Sequence, residues 1–337
     1  MLVNQMSPKQ QAGQLLMMGL VAPVTDQDLV RLQKYQIGSV VLLGPWTSSA
    51  QVRTATQAVT GLNMAVPVVA AADQEGGSIQ RLQGSGLPPI PSATQQRSLT
   101  PAQLTDNWAK WGSHLSAVGV RYDLAPVADV VPAAKVTSNQ PIGRLGRSYG
   151  ATPEQAAPLV AAAVTGLQKA GIGTSLKHFP GLGQVTSNTD FAAAIDTTIT
   201  RTDPGLEVFR AGIEAGASSV MVSSAIYSKI DPDNQAVFSS IVITEMLRGD
   251  LAFDGLVISD DLGSAASVAD VPAGQRAVRF VRAGGDLVIN ADPHSVDEMA
   301  NALVAKAGQD PAFAEQVSRS ATRVVEFKES LGLVRCS

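Results

Sequence analysis

Polar residues gather where the short apolar runs of this chain stop. Val68–Ala72 is followed by Asp73-Gln74-Glu75-Gly76-Gly77, with Arg81 close behind. Tyr122–Ala125 leads into Pro126-Val127-Ala128-Asp129, and Gly173–Lys177 ends in Lys177-His178-Phe179-Pro180-Gly181. Later runs stop at Ser223-Ser224, at Ser259-Asp260-Asp261 and at Asn290. Carboxylates beside lysine, histidine and arginine make charge-assisted hydrogen bonds, and a carboxylate held at a strand end can serve as base or nucleophile. No G-x-G-x-x-G or Walker loop is present to cradle a phosphate. Three histidines (His114, His178, His294) and one cysteine leave no plausible metal cage, and no cofactor is implied. The set suits a neutral, polyhydroxylated substrate gripped through its hydroxyls.

Each residue also has a plainer reading. An aspartate at a strand end often caps the next helix, which applies to Asp73, Asp129 and Asp261. Lys177 could pair structurally with a neighbouring carboxylate, and Glu75 could be the buried partner of Arg81. A lone His178 would be a packed histidine, but beside Lys177 and before Phe-Pro-Gly it reads as functional. His114 and His294 read as structural or exposed.

The elements that must present these residues alternate regularly. Strands are expected at Leu15–Leu20, Ser39–Leu43, Val68–Ala72, Tyr122–Ala125, Gly173–Lys177, Ser219–Val222, Leu256–Ser259 and Asp286–Ile289. Helical patterns follow at Thr25–Gln33, Ser49–Met64, Pro101–Val118, Pro153–Ala170, Pro204–Ala215, Ser240–Arg248, Ala273–Ala283 and Ser295–Ala307. A last helix, Pro311–Leu331, closes the chain. Such βα units predict an α/β fold, a (β/α)8 TIM-type barrel, with the polar strand ends converging on one mouth. A doubly wound open sheet is the rival, but its phosphate fingerprint is missing. The 337 residues would allow about two domains by length, yet no linker or composition break appears, so 1–337 is read as one barrel domain. Loops Gln83–Pro101, Val131–Thr152 and Gly181–Thr202 are long enough to carry function.

Composition narrows the partners. A net charge of −4, with 29 acids against 25 bases, argues against nucleic acid. No apolar run reaches membrane-spanning length. The N-terminus lacks a charged segment followed by an apolar stretch, so no signal peptide is read. Scarce lysine (9, against 16 arginines) favours an exported parent with a trimmed N-terminus. Cys336 could then have paired with a cysteine upstream of residue 1; a free thiol is the other reading. A secreted or cell-envelope location is expected if a signal peptide was removed, a cytoplasmic one otherwise. The oligomeric state is left open.

Taken in order, these pieces resemble glycoside hydrolase family 3, in particular its single-domain bacterial β-N-acetylhexosaminidases of peptidoglycan turnover. The matching segments are Asp73-x-Glu75-Gly76-Gly77 with Arg81, Ala125-Pro126-Val127-x-Asp129, Gly146-Arg147-Ser148-Tyr149, Lys177-His178-Phe179-Pro180-Gly181 and Ser259-Asp260-Asp261-Leu262. The resemblance implies a retaining β-glycosidase with a carbohydrate substrate and Asp260 as nucleophile. An apolar strand, Leu256-Val257-Ile258, would hold that carboxylate rigidly. It also implies that Asp73, Arg81, Asp129, Arg147, Lys177 and His178 hold the sugar in the −1 site, with Arg144 competing for the place of Arg147.

The departures fall on histidines. The family's acid/base segment, Asp-Ser-His, is replaced by Asn188-Thr189-Asp190, making Asp190 the candidate acid/base and Asn188 its orienting neighbour. Pro-Gly-His-Gly becomes Pro180-Gly181-Leu182-Gly183, and a strand-6 histidine becomes Ser223 or Ser224. Three readings stay open. Either Asp190 is the acid/base, or Glu75, Asp261 or no residue serves in its place, or the barrel binds glycan without cleaving it. A β-glucosidase or β-xylosidase preference is the other alternative on substrate.

Overall fold

The computed structural model describes residues 2–334; Cys336 lies outside them. Eight parallel strands form a closed barrel in chain order: β1 Leu16–Leu20, β2 Ser39–Leu42, β3 Val69–Ala72, β4 Tyr122–Asp123, β5 Gly173–Phe179, β6 Ser219–Val222, β7 Leu256–Asp261 and β8 Leu287–Asn290. Closure is made by β1 on β8, with Leu16 opposite Val288. The helices behind them are α1 Asp26–Tyr35, α2 Ser49–Thr60, α3 Pro101–Ala117, α4 Pro153–Lys169, α5 Leu206–Glu214, α6 Ile241–Asp250, α7 Ala273–Ala283, α8 Val296–Gln309 and α9 Pro311–Ser330.

Local chemistry explains several boundaries. Thr25 and Thr100 cap α1 and α3 with reciprocal side-chain bonds to Asp28 and Gln103, and Pro101 and Pro153 occupy first helical positions. α6 departs from the expected α-helix: it is wound as a π-helix, and beyond its end Leu251 N–H reaches Met246 O five residues back. β4 is shorter than the expected Tyr122–Ala125, because Pro126 offers no N–H to continue the ladder. A helix not expected, Pro8–Gln14, precedes β1.

The long loops also hold structure that the sequence pattern does not reveal. Trp46–Ser48 pairs with Leu82–Ser85, Gln74–Gly76 with Ile79–Gln80, and Ile195–Asp196, Ile226–Tyr227 and Asp231–Gln235 form a small sheet. These pieces are two to five residues long, too short for a period-2 signal.

Alternation along the strands sorts the core into two layers. Met17, Val41, Val69, Ala71, Tyr122, Met221, Leu256, Ile258, Leu287 and Ile289 fill the barrel, with Phe327 and Leu331 of the α9 region packed against them. Intervening residues such as Met18, Val40, Ala70, Val220, Val257 and Val288 pack against the helices. The same alternation carries Asp73, Lys177 and Asp260 onto the inward face, just beyond Ala71, Ser175 and Ile258.

Candidate functional site

At the C-terminal mouth, Lys177 is deeply set, its side chain 2% exposed. Its Nζ lies 2.6 Å from Asp73 Oδ1 and 2.6 Å from Glu75 Oε1. Glu75 in turn accepts two bonds from Arg147, Nε to Oε2 at 2.8 Å and Nη2 to Oε1 at 2.7 Å. Two cations and two carboxylates therefore form one neutral cluster across β3, β5 and the loop after β4. Burial opposes ionisation of Glu75, but Arg147 and Lys177 outweigh it and hold the carboxyl at about 2. Burial likewise works against the Lys177 ammonium, and Asp73 and Glu75 overcome it, raising its pKa. Glu75 is thus not the partner of Arg81, as the sequence suggested, but the hub that orients Arg147 and Lys177. A carboxyl held so acidic is a poor proton donor at neutral pH.

The loops are built to hold this cluster. Gly76 adopts φ +95°, and a Cβ there would collide with Pro91 O, so the glycine lets the chain turn under Ile90–Pro91. Gln96 accepts from Tyr149 Oη (2.8 Å) and Trp108 Nε1 (3.1 Å), pinning the segment that carries Arg147. Arg144 is exposed, so of the two candidates Arg147 joins the cluster. Buried Asn139 donates to Leu182 O and Val185 O and accepts from the Ile142 and Gly143 N–H groups, stitching the loop after β4 to the loop after β5.

Asp129 departs from its expected place among the sugar-holding side chains. It is fully enclosed, with Oδ2 2.8 Å from His178 Nδ1 and Oδ1 accepting from His178 N–H (3.2 Å) and Leu182 N–H (2.7 Å). An ionised carboxylate only accepts, so Nδ1 carries the proton and Nε2 is left for the site. Asp129 reaches a ligand only through His178. Arg81 lies at the rim of the cluster. Its backbone N–H donates to Asp73 O at 3.1 Å, and its buried Nε has no partner among the described residues.

Asp260 sits at the end of β7. Among the described residues its carboxylate takes one hydrogen bond, from Asp261 N–H at 2.9 Å. Burial, with the charges of Asp190 and Asp261, pushes its pKa up to about 6, against the pull of His178 and the Asp261 N–H. Asp261 is fully engaged as a cap, accepting from Gly263 (2.8 Å), Ser264 (2.9 Å) and Ala291 (2.8 Å) N–H groups. That leaves it poorly placed for proton transfer. Asp190 is exposed on the loop after β5, in a turn closed by its own N–H to Asn188 Oδ1 at 3.0 Å. The Ala266 and Ser267 N–H groups donate to Asp190 O and Thr189 O, tying this turn to the loop that follows Asp260.

One residue escaped the sequence reading. Asp123, at the end of β4, is completely buried, and burial raises its pKa to about 8 despite the Gln74 N–H and Lys177, which favours its neutral form. A single acid inside an otherwise apolar strand was the available signal. Among the described residues no group of three or more His, Cys, Asp or Glu is arranged to hold a metal ion, and no helix is long and apolar enough to cross a membrane.

Comparison with known proteins agrees with this geometry. The Glycosyl hydrolase family 3 N terminal domain matches residues 9–327. A β-hexosaminidase of Stenotrophomonas maltophilia (strain K279a) is 34% identical over 319 residues, covering 91% of this chain and 92% of that one. The crystal structure of β-N-acetylhexosaminidase from Beutenbergia cavernae DSM 12333 superposes with a TM-score of 0.92 at 41% identity, covering 96% of this chain and 99% of that one. A family 3 β-N-acetylglucosaminidase from Paenibacillus sp. str. FPU-7 gives 0.87 at 27% identity, over 98% of this chain and 65% of the other. A closed (β/α)8 barrel, a charged mouth and these matches together place the chain in glycosyl hydrolase family 3.

Proposed function

We propose that this chain is a retaining β-N-acetylhexosaminidase that releases N-acetylglucosamine from peptidoglycan fragments or chitooligosaccharides through a covalent bond to Asp260. The relatives named above support the substrate class. The observation that carries the reading is the sparsely partnered Asp260 carboxylate at the C-terminal end of β7, with the turn that bears Asp190 tied to the loop following it through the Ala266 and Ser267 N–H groups.

In the first step the Asp260 carboxylate attacks the anomeric carbon as the glycosidic bond breaks, and the Asp190 carboxylic acid gives its proton to the departing oxygen. In the second, the Asp190 carboxylate takes a proton from water, the water oxygen bonds to the anomeric carbon, and Asp260 leaves as a carboxylate. The first step requires Asp260 as the carboxylate and Asp190 as the acid, and the second reverses the role of Asp190. Lys177, Arg147, Asp73, Arg81 and the Nε2 of His178 hold the sugar, and closure of the Asp190 loop on substrate brings the acid to the glycosidic oxygen.

Parallel rates on aryl β-N-acetylglucosaminide, β-glucoside and β-xyloside test this reading. The acetamido sugar is expected to be turned over fastest. Faster glucoside or xyloside turnover points to the other specificity of the family, and glycan affinity without turnover of any substrate points to a binding barrel.

A further inference from the structure

The loop that carries Asp190 also presents an apolar surface that the reaction leaves unused. Phe191 is 80% exposed, more than any other large apolar side chain among the described residues, and Ile195 is 59% exposed. Ala192 and Ala193 between them are exposed as well. Single exposed hydrophobes are ordinary, but a run of them led by a phenylalanine at the edge of a site marks a contact surface.

The run is held in place. Phe191 and Ala192 N–H groups both donate to Asn188 O, at 3.1 and 3.0 Å, and Ile226 N–H donates to Ala194 O at 2.9 Å. Together with the Ala266 and Ser267 bonds to Asp190 and Thr189, these tie the segment to the loops after β6 and β7, so that those loops and the acid would move as one when the site closes. Position then dictates what it meets. A general acid must reach the glycosidic oxygen, which divides the sugar in the site from the leaving group. The residue that follows the acid on the same turn borders the leaving-group side.

We propose that Phe191, with Ala192, Ala193 and Ile195, is a platform for the leaving group, its ring stacking against the C–H face of a pyranose. The proposal rests on the reading of Asp190 as the acid/base. The negative face of an aromatic ring attracts the weakly positive C–H hydrogens of a sugar, and the contact removes apolar surface of both partners from water. The platform selects glycosides whose leaving group is itself a sugar.

The test compares kcat/KM on N,N′-diacetylchitobiose with kcat/KM on β-N-acetylglucosaminyl fluoride, whose leaving atom is too small to touch the ring. In Phe191→Ala the disaccharide-to-fluoride ratio is expected to fall about five- to tenfold, the size of one aromatic contact, and Phe191→Tyr should restore it. An unchanged ratio overturns the platform, and if self-association of the protein is lost instead, the patch is an interface between copies. Should neither substrate turn over, calorimetry with the Asp260→Ala protein separates the two ideas. Weaker chitobiose binding on adding Phe191→Ala, with N-acetylglucosamine binding kept, supports the platform while overturning the hydrolytic reading. No binding of either sugar overturns both.

Discussion

Buried charge gathers at both ends of this barrel, and the two ends are finished differently. At the N-terminal end, just before β8, the buried Asp286 carboxylate accepts from Arg248 (2.6 Å), Val257 N–H (2.9 Å), Ser320 (2.8 Å) and Arg323 (3.1 Å). Beneath it Lys328 of α9 donates to Gln14 Oε1 and Gly38 O, both at 2.7 Å. At the mouth, among the described residues, Asp260 accepts one hydrogen bond, Arg81 Nε donates none, and the side chains of Asp73 and Arg147 are 18% and 12% exposed. The base spends its hydrogen-bonding capacity on the fold, whereas the mouth keeps some open for a ligand. Barrel enzymes divide their two ends in this way.

The largest effect expected from breaking the comparison is at Asp190, whose carboxylate accepts no hydrogen bond among the described residues. Asp190→Ala should lower kcat/KM on poor leaving groups by about 10²- to 10⁴-fold and on activated aryl glycosides far less, with partial rescue by azide. Equal losses on both substrates would remove Asp190 from the acid/base role.

Next comes a matched pair of hub carboxylates. Glu75→Gln should cost about 10² in kcat/KM, because Arg147 and Lys177 lose the partner that aims them. Asp286→Asn should cost about 3–5 kcal/mol of folding stability by leaving two arginines short of their partner. It should leave kcat/KM of the folded protein within about twofold. Urea midpoints and initial rates on both variants check the contrast, which fails if the Asp286 variant loses activity as steeply as the Glu75 variant.

The smallest effect is in pH dependence. Asp260 must be ionised to attack, and its pKa is raised to about 6, so kcat/KM on an activated substrate should fall as pH drops through about 6. Asp190→Asn removes one of the like charges that raise Asp260, so the acid limb should move to lower pH. A limb that stays in place in that variant would show that the two carboxyls do not share a field.

Much of this was legible in the sequence. Apolar runs of four or more residues ending in charge gave the barrel and put Asp73, Lys177 and Asp260 at one mouth, because period-2 alternation is a local property. Partnerships were not legible. Glu75 meets residues 72 and 102 positions away, and nothing in the spacing shows that Arg147 and Lys177, rather than Arg81, neutralise it. The same limit applies to Asp129, whose three hydrogen bonds turn it from a sugar ligand into the support of His178, and to Asn139, an ordinary loop residue until the fold brings two loops onto it. Asp123 was passed over because a β-strand pattern absorbs one polar residue without breaking.

The central claim is that the open carboxylate at the end of β7 forms a bond to the sugar. Incubation with a 2-fluoro-2-deoxy glycosyl donor bearing a good leaving group, followed by mass spectrometry of the digested protein, tests it directly. The account predicts one added glycosyl mass on the peptide containing Asp260, and none in Asp260→Ala. Adduct on another carboxylate, or full hydrolytic activity in Asp260→Ala, would contradict it.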